Sequence, residues 1–408
     1  MKNSFLTTIA AVTFLAAANQ LHAQTWVNVY DPAHGGVPGV SGDISTDAAT
    51  NVYAAGRYIA ADGSSVAIVQ GSSDQGAHWQ VLDQYAGPTL SYNYAHNRAV
   101  AADPFTGGLF AGGNLNNLLP DGSAQFNALW FIREWNQLSG WTTADSTLDG
   151  DLGQASCADI MVTPSGDVYA TGSDGGWLVR KRSALAPTFT TVDSNIAGQS
   201  SGSGWDMACH PTKGVFVVGD VNGIWTVRRS PNGEKGTWTT VDSFYTNRVW
   251  TSGNANCILA TPSKIHVVGS AYNASTRKNL WVVRSSSDGG LTWSITDMAL
   301  AGEAKGIVED ISGNPGNLVT NLVVIGAAGG SGWIVRKGTP SITYVKQGKN
   351  LVPVATMTWT TIDDYPVATG KSAVANAITK DIQGSIFVSG HAQDATGVEQ
   401  FIVRKLPK

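Results

Sequence analysis

Cysteine is scarce in this 408-residue sequence, and its three copies, Cys157, Cys209 and Cys257, make an odd number. A disulfide framework of the kind that holds small exported domains together is therefore not expected. We interpret the three cysteines as small, buried apolar side chains. A single bridge and a free thiol both stay open as alternatives.

Charged residues are also few. Only 14% of the residues are Asp, Glu, Lys or Arg, the net charge is −4, and no run of basic residues occurs. Nucleic acids and anionic membrane surfaces are bound by concentrated positive charge. The composition argues against both kinds of partner, and it does not indicate an oligomeric state.

Long apolar runs are missing everywhere except at the N-terminus. There, Lys2 precedes the apolar stretch 5–18, and Ala23 offers a small residue for cleavage. This pattern predicts a secretory signal peptide over residues 1–23, which is too short for a membrane span. We therefore expect a protein that is secreted, periplasmic or on the cell surface after cleavage near Ala23, with no membrane span.

Motifs for cofactors are absent as well. No histidine pair has metal-ligand spacing, no glycine-rich phosphate loop opens a helix, and no nucleophilic serine motif appears. The sequence therefore predicts no metal and no other cofactor.

A repeated short strand is the most informative feature that the sequence does contain. In each copy an aromatic residue opens the strand and an aspartate closes it, and successive copies begin 48 to 66 residues apart. The seven copies are Trp26–Asp31, Trp79–Asp83, Trp141–Asp145, Phe189–Asp193, Trp238–Asp242, Trp293–Asp297 and Trp359–Asp363. A period of this size, built from strand-forming residues, indicates a repeat architecture.

Each repeat contains four short strands separated by turns rich in Gly, Pro, Asp and Ser, as residues 157–193 show. The chain begins with a fourth strand and ends with three strands that lack a fourth. We therefore expect an all-β fold: one domain over residues 24–408, forming a seven-bladed β-propeller of four-stranded antiparallel blades. The N-terminal strand would join the last blade and close the ring.

Two turns carry a resemblance to a known group. Ser286–Trp293 matches the pattern S-x-D-x-G-x-T-W, and Ser72–Trp79 matches it with His78 in place of Thr. The chain thus resembles the Asp-box (bacterial neuraminidase repeat) propellers of the sialidase-like superfamily. That group includes sialidases, xyloglucan-cleaving hydrolases and non-catalytic receptor and assembly-factor propellers. Because the aspartate of such a turn can accept backbone N–H groups, we interpret Asp74 and Asp288 as structural.

Residues that break the repeat are the better candidates for a site, and several occur just before or within the first strands of the repeats. Aromatic rings beside charged groups suit a sugar, because rings stack on the pyranose and charges bind its hydroxyls or carboxylates. The catalytic candidates are Asp43, Asp159, Asp206, Glu303 and His96. The ligand-binding candidates are Tyr92, Tyr94, Arg98, Trp205, Tyr245, Arg248 and Trp250. The structural alternative is that Asp43, Asp159 and Asp206 cap inner strands.

These candidates support two functional hypotheses, and a purely structural envelope or matrix protein is the third option. A sialidase mechanism is disfavoured, because it needs three convergent arginines and a tyrosine–glutamate pair that the sequence does not show. The leading hypothesis is a non-catalytic binding or scaffold module for carbohydrate or another surface partner. The alternative is a glycan-active enzyme with its site at the channel mouth. It would be a glycoside hydrolase using two carboxylates, or a polysaccharide lyase using His96 or Tyr94 with Arg98 or Arg248.

Overall fold

The computed structural model describes most of the chain. The described residues are 25–34, 36–87, 92–118, 124–148, 155–194, 196, 198–244, 250–298, 300–314, 317–329, 332–347 and 350–408. The predicted signal peptide lies outside them, as do Tyr245 and Arg248. Within these ranges no helix has the length and apolarity to span a membrane. The one short helical element there is a 3-10 turn at Pro32–His34.

Antiparallel strands make up the described fold, which is an all-β propeller. Five of its sheets have four strands each. Three of these are β10–β13 (Ser156–Val162, Val168–Ser173, Trp177–Arg182, Thr190–Ser194), β14–β17 (Gly202–His210, Gly214–Val221, Ile224–Ser230, Thr239–Ser243) and β18–β21 (Trp250–Ala260, Ile265–Asn273, Lys278–Ser286, Ser294–Asp297). The other two are β22–β25 (Gly302–Asn314, Asn317–Ala328, Gly332–Gln347, Asn350–Asp364), and β26–β28 (Ala373–Lys380, Ile386–Gln393, Glu399–Leu406) with β1 (Val27–Tyr30).

The remaining strands do not form separate four-stranded blades, so the predicted count of seven such blades is wrong. Five four-stranded blades are present, and the other eight strands form one continuous sheet. These are β2–β5 (Gly39–Thr46, Val52–Ile59, Ser65–Ser72, Gln80–Tyr85) and β6–β9 (Tyr94–Ala102, Leu109–Leu118, Ala124–Asn136, Gly140–Leu148). The join is a single parallel pairing of Ser65 with Tyr94, supported by a 3.0 Å bond from the Ser65 N–H to the Asn93 carbonyl. The repeat pattern does not encode this contact.

The N-terminal strand closes the ring as expected from the sequence. β1 pairs antiparallel with β28, opposite Val403–Lys405. The first strands of the successive repeats (β2, β6, β10, β14, β18, β22 and β26) each lie beside the next, and β26 lies beside β2. These strands, called the inner strands below, therefore surround a central channel.

The repeated aspartates join neighbouring repeats. Six of the seven, all except Asp31, accept hydrogen bonds from an arginine on the third strand of the next repeat. The pairs are Arg133–Asp83, Arg180–Asp145, Arg228–Asp193, Arg284–Asp242, Arg336–Asp297 and Arg404–Asp363. In the pair of Arg228 with Asp193, Nε donates to Oδ2 at 2.7 Å and one terminal nitrogen donates to Oδ1 at 2.9 Å. The repeated arginine therefore has a structural role, because it joins its repeat to the preceding one.

Tryptophans on the third strands fill the space between repeats. Trp130, Trp177, Trp225, Trp281 and Trp333 are all fully buried. The Trp177 ring lies against Gly219 of the next repeat, where an added Cβ would come within 2.8 Å of the ring and 1.9 Å of the Ser203 carbonyl oxygen. Glycine at position 219 therefore lets its strand approach both the Trp177 ring and the inner strand that carries Ser203.

The two turns that match the Asp-box pattern are held by their aspartates. Asp288 Oδ1 accepts the Thr292 N–H at 2.9 Å, and Oδ2 accepts the Thr292 hydroxyl at 2.6 Å. Asp74 Oδ1 accepts the His78 N–H at 2.8 Å. These hydrogen bonds hold the pKa of both carboxyls well below the ordinary value. Both side chains therefore act as turn acceptors, as interpreted from the sequence.

Candidate functional site at the channel mouth

A bulge interrupts every inner strand at the same place. In each, one residue has no partner on the second strand, which marks an extra residue in the ladder. The seven bulge residues are Gly42, Arg98, Ala158, Trp205, Asn256, Lys305 and Asn376. The position is repeated, but the residue type is not.

All seven bulge residues line one cavity of about 300 Å³. Val40, Ser41 and His96 complete its lining. We call it the inner cavity. It presents a guanidinium and an imidazole from β6, and an ammonium, an indole and two amides from four other inner strands. Because these groups differ around a regular ring, they are the part of the fold that can recognise a ligand.

A second cavity, of about 610 Å³, adjoins the first. We call it the outer cavity. Arg98 and Trp205 line both cavities, so the two meet at these side chains. The remaining lining residues are mostly small or polar: Asn114, Asn116, Ala155, Ser156, Ser173, Gly175, Gly176, Ser200–Ser203 and Asp220.

Arg98 is a half-buried cation that forms no ion pair with a carboxylate of the described residues. Its Nε donates to the Asn114 side-chain oxygen at 3.1 Å. Burial lowers the pKa of the Arg98 guanidinium, and the nearby charge of Arg57 contributes in the same direction. A buried charge is costly unless it is paired, so this guanidinium is positioned to accept an anion.

His96 and Tyr94 lie beside Arg98 on β6. His96 is buried and its Nε2 has no hydrogen-bond partner, while its Nδ1 lies 3.5 Å from the Tyr94 hydroxyl. Burial, together with the charges of Arg98, Arg57 and His391, lowers the pKa of His96 well below its ordinary value. The imidazole is therefore neutral at neutral pH, and its surroundings oppose its protonation.

The three candidate aspartates follow bulge residues directly and point across to the next inner strand. One oxygen of each accepts the N–H of the following residue, and the other accepts an N–H of the neighbouring repeat. The second set of bonds is Val100 to Asp43 (2.8 Å), Met207 to Asp159 (2.9 Å) and Ile258 to Asp206 (2.7 Å). This geometry supports the structural alternative that the sequence left open.

Burial dominates the electrostatics of these aspartates. It raises the pKa of Asp43 to about 7, and it raises the pKa of Asp159 well above the ordinary value. The pKa of Asp206 is raised by burial too. The neighbouring carboxylates of Asp206 and Asp43 raise the pKa of Asp159 further.

The other candidates are placed as follows. Glu303 accepts a 2.8 Å bond from the Asn256 amide and lies 3.4 Å from the Lys305 ammonium. Trp250 packs on Phe244, with ring centroids 6.2 Å apart, and lines neither cavity. Tyr92 packs against a buried apolar cluster and also lines neither.

The structure therefore brings together Arg98, Trp205 and His96 from the sequence candidates. It adds Lys305, the neighbour of the candidate Glu303, and it adds Asn256 and Asn376, which sequence reasoning missed. The signal that could have found them is the residue type at the bulge, read by aligning the seven inner strands with one another. The three cysteines are free, and only Cys157 is fully buried. No group of three metal-ligating side chains occurs within the described ranges.

Comparison with known proteins yields a fold likeness only. No family model matches the chain, and no curated protein matches it. Similar solved structures include a sialidase of Trypanosoma rangeli with sialic acid (TM-score 0.44, 11% identity, 91% of this chain and 54% of that one). Another is the GH93 α-L-arabinofuranosidase of Fusarium graminearum with arabinobiose (TM-score 0.46, 12% identity, 90% of this chain and 93% of that one). A third is Drosophila Semaphorin 1b (TM-score 0.49, 9% identity, 91% of this chain and 86% of that one).

This chain spans about half the length of that sialidase. Likenesses at this level of identity and superposition carry no argument about activity. The resemblance to the Asp-box group therefore rests on the two turn sequences.

Proposed function

We propose that this protein recognises an acidic carbohydrate at the channel mouth. The observation that carries the proposal is Arg98, a half-buried guanidinium that forms no ion pair with a carboxylate in the described part of the chain. A uronate carboxylate matches the planar fork of a guanidinium and would supply the missing charge.

The surroundings of Arg98 suit a sugar rather than a bare anion. Trp205 lies at the junction of the two cavities, with its indole N–H fixed by Asp220 at 3.1 Å. The amides of Asn256 and Asn376 line the same inner cavity. An apolar ring beside a few polar groups is the usual composition of a carbohydrate site.

Cleavage of the same glycan is the second candidate function. It is favoured by the neutral His96, whose Nε2 has no hydrogen-bond partner, next to Arg98 and Tyr94. In a β-elimination, His96 would take the proton from C5 of a uronate bound at Arg98. That electron pair would form the C4–C5 double bond as the C4–O bond breaks, and the leaving oxygen would take a proton from Tyr94.

Hydrolysis by two of the aspartates has less support from the geometry. Asp43, Asp159 and Asp206 each use both carboxylate oxygens to accept backbone N–H groups. The enzymatic alternative therefore rests more on His96 than on these carboxylates.

Calorimetric titration with glucuronic acid tests the recognition. We expect saturable binding by the wild type and at least about tenfold weaker binding by Arg98→Gln. Arg277→Gln is the matched control, because this exposed arginine lines neither cavity. Equal affinity of Arg98→Gln and the wild type, or no binding by the wild type to any uronate, would refute the proposal.

Incubation with a uronate-containing polysaccharide tests the second candidate. Elimination would produce the near-ultraviolet absorbance of an unsaturated uronate, and His96→Asn would abolish it while leaving calorimetric binding within about twofold. Binding without any turnover would reject cleavage and leave recognition as the function.

The proposal also places this recognition outside the cytoplasm, as the predicted signal peptide implies. Export in the native host would yield a mature protein whose N-terminus lies near Gln24, which mass spectrometry can measure. Retention of residues 1–23 on the protein in the cytoplasm would contradict this part.

A further inference from the structure

The two cavities differ in charge, although they share Arg98 and Trp205. The inner cavity holds the cations Arg98 and Lys305, and Glu303 lies 3.4 Å from the latter. The outer cavity has no cation other than Arg98 among its lining residues. Its other ionisable group is Asp220. A ligand that spans both cavities therefore meets positive charge at one end and a carboxylate at the other.

Asp220 is held in its acceptor role. Its Oδ1 accepts the Trp205 indole N–H at 3.1 Å, and its Oδ2 accepts the Gly223 backbone N–H at 3.3 Å. Each of these bonds uses a lone pair of one carboxyl oxygen, so both oxygens of Asp220 act as hydrogen-bond acceptors. A second acidic sugar placed in the outer cavity would face this carboxylate and be repelled.

The rest of the outer lining suits hydroxyl groups. The Asn116 side-chain oxygen and the Ser156 hydroxyl are buried and have no hydrogen-bond partner in the protein. Ser201 and Gly176 line the same cavity. Unpaired buried polar atoms are costly, and the hydroxyls of a neutral sugar would pair them.

From this we infer that the site selects a mixed acidic and neutral glycan rather than a polymer of uronates. The acidic unit occupies the inner cavity at Arg98, and the adjoining neutral unit occupies the outer cavity between Asn116 and Asp220. This inference rests on the proposed function, and it adds the order and the charge pattern of the sugar units.

Titration of the full chain with four probes tests the inference. The probes are glucuronic acid, xylobiose, the disaccharide glucuronosyl-xylose, and digalacturonic acid. We expect glucuronosyl-xylose to bind at least about tenfold more tightly than either glucuronic acid or digalacturonic acid. Xylobiose should bind most weakly, because it has no carboxylate for Arg98.

Two variants separate the contributions of the outer cavity. Asp220→Asn keeps an oxygen acceptor for the Trp205 indole and removes the negative charge. It should strengthen binding of digalacturonic acid about tenfold and leave glucuronosyl-xylose within about twofold. Asn116→Leu should remove most of the extra affinity that the xylose unit gives to glucuronosyl-xylose. It should leave the affinity for glucuronic acid unchanged. Asp62→Asn, on an exposed turn that lines neither cavity, is the control for loss of one charge.

The outcomes distinguish this inference from the proposed function. If the wild type binds glucuronic acid but prefers digalacturonic acid, or if Asp220→Asn changes neither affinity, the inference is overturned and the proposed function stands. If no uronate binds the wild type at all, both are overturned. A thermal melt of each variant establishes that it is folded before its affinity is compared.

Discussion

At the scale of single residues, neighbours in sequence have different roles at each bulge. Trp205 lines both cavities, whereas Asp206 turns away and accepts the Ile258 N–H of the next repeat. Gly42 and Asp43 differ in the same way, because Gly42 lines the inner cavity and Asp43 accepts the Val100 N–H of the next repeat. The bulge is what makes this possible, because it places two consecutive residues opposite one partner and turns their side chains in different directions.

A prediction about pH follows from Asp43. Its pKa is raised to about 7, so the folded protein binds a proton that the unfolded chain releases at about pH 4. The stabilisation from this group is fully present below about pH 4 and is lost as the pH rises through about 7. The free energy of unfolding of the wild type minus that of Asp43→Asn should therefore fall between about pH 5 and about pH 8.

Urea denaturation of both proteins across this range measures the difference. Asp62→Asn is the control, because hydrogen bonds lower rather than raise the pKa of that exposed carboxyl. A difference between the wild type and Asp43→Asn that is flat, or that rises with pH, would contradict the buried position assigned to Asp43.

At the scale of elements, neighbouring repeats are joined by arginine–aspartate pairs and by ring-on-glycine packing. Arg228 on β16 reaches back to Asp193 on β13, and Trp177 on β12 reaches forward to Gly219 on β15. The strands are apolar on both faces because each sheet is covered by a neighbour on each side. The pairs supply the polar connections that such a stack otherwise lacks.

Removing one arginine from this series should be strongly destabilising. Arg228→Met leaves the buried Asp193 carboxylate without its bidentate partner, and we expect the free energy of unfolding to fall by about 3–5 kcal/mol. Arg277→Met, on an exposed turn, should change it by less than about 0.5 kcal/mol. Chemical denaturation of the two variants provides the comparison. Equal stability would mean that the pair contributes nothing to the interface between these repeats.

At the scale of the whole molecule, the repeat in the sequence predicted much of the fold. It located the outer strands and the pairing of β1 with β28. It did not predict that eight strands share one sheet. That join depends on Ser65 and Tyr94 meeting in space, and no periodic pattern records such a contact.

The site was predicted in part for a similar reason. Arg98 and Trp205 stand out in sequence because they are large and interrupt the repeat, and both line the cavities. Asn256 and Lys305 are ordinary polar residues, and only the bulge turns them toward the channel. Trp250 was selected for its aromatic ring, but the apolar side chain of Phe244 offers it a packing partner instead.

The central claim is that Arg98 at the channel mouth binds the carboxylate of a sugar. The most direct measurement is a crystal structure of the protein soaked in glucuronic acid. The account predicts the carboxylate within hydrogen-bonding distance of the Arg98 guanidinium, with the sugar ring beside Trp205. A sugar bound elsewhere on the molecule, or a carboxylate held by other residues while Arg98 stays without an anion, would contradict it.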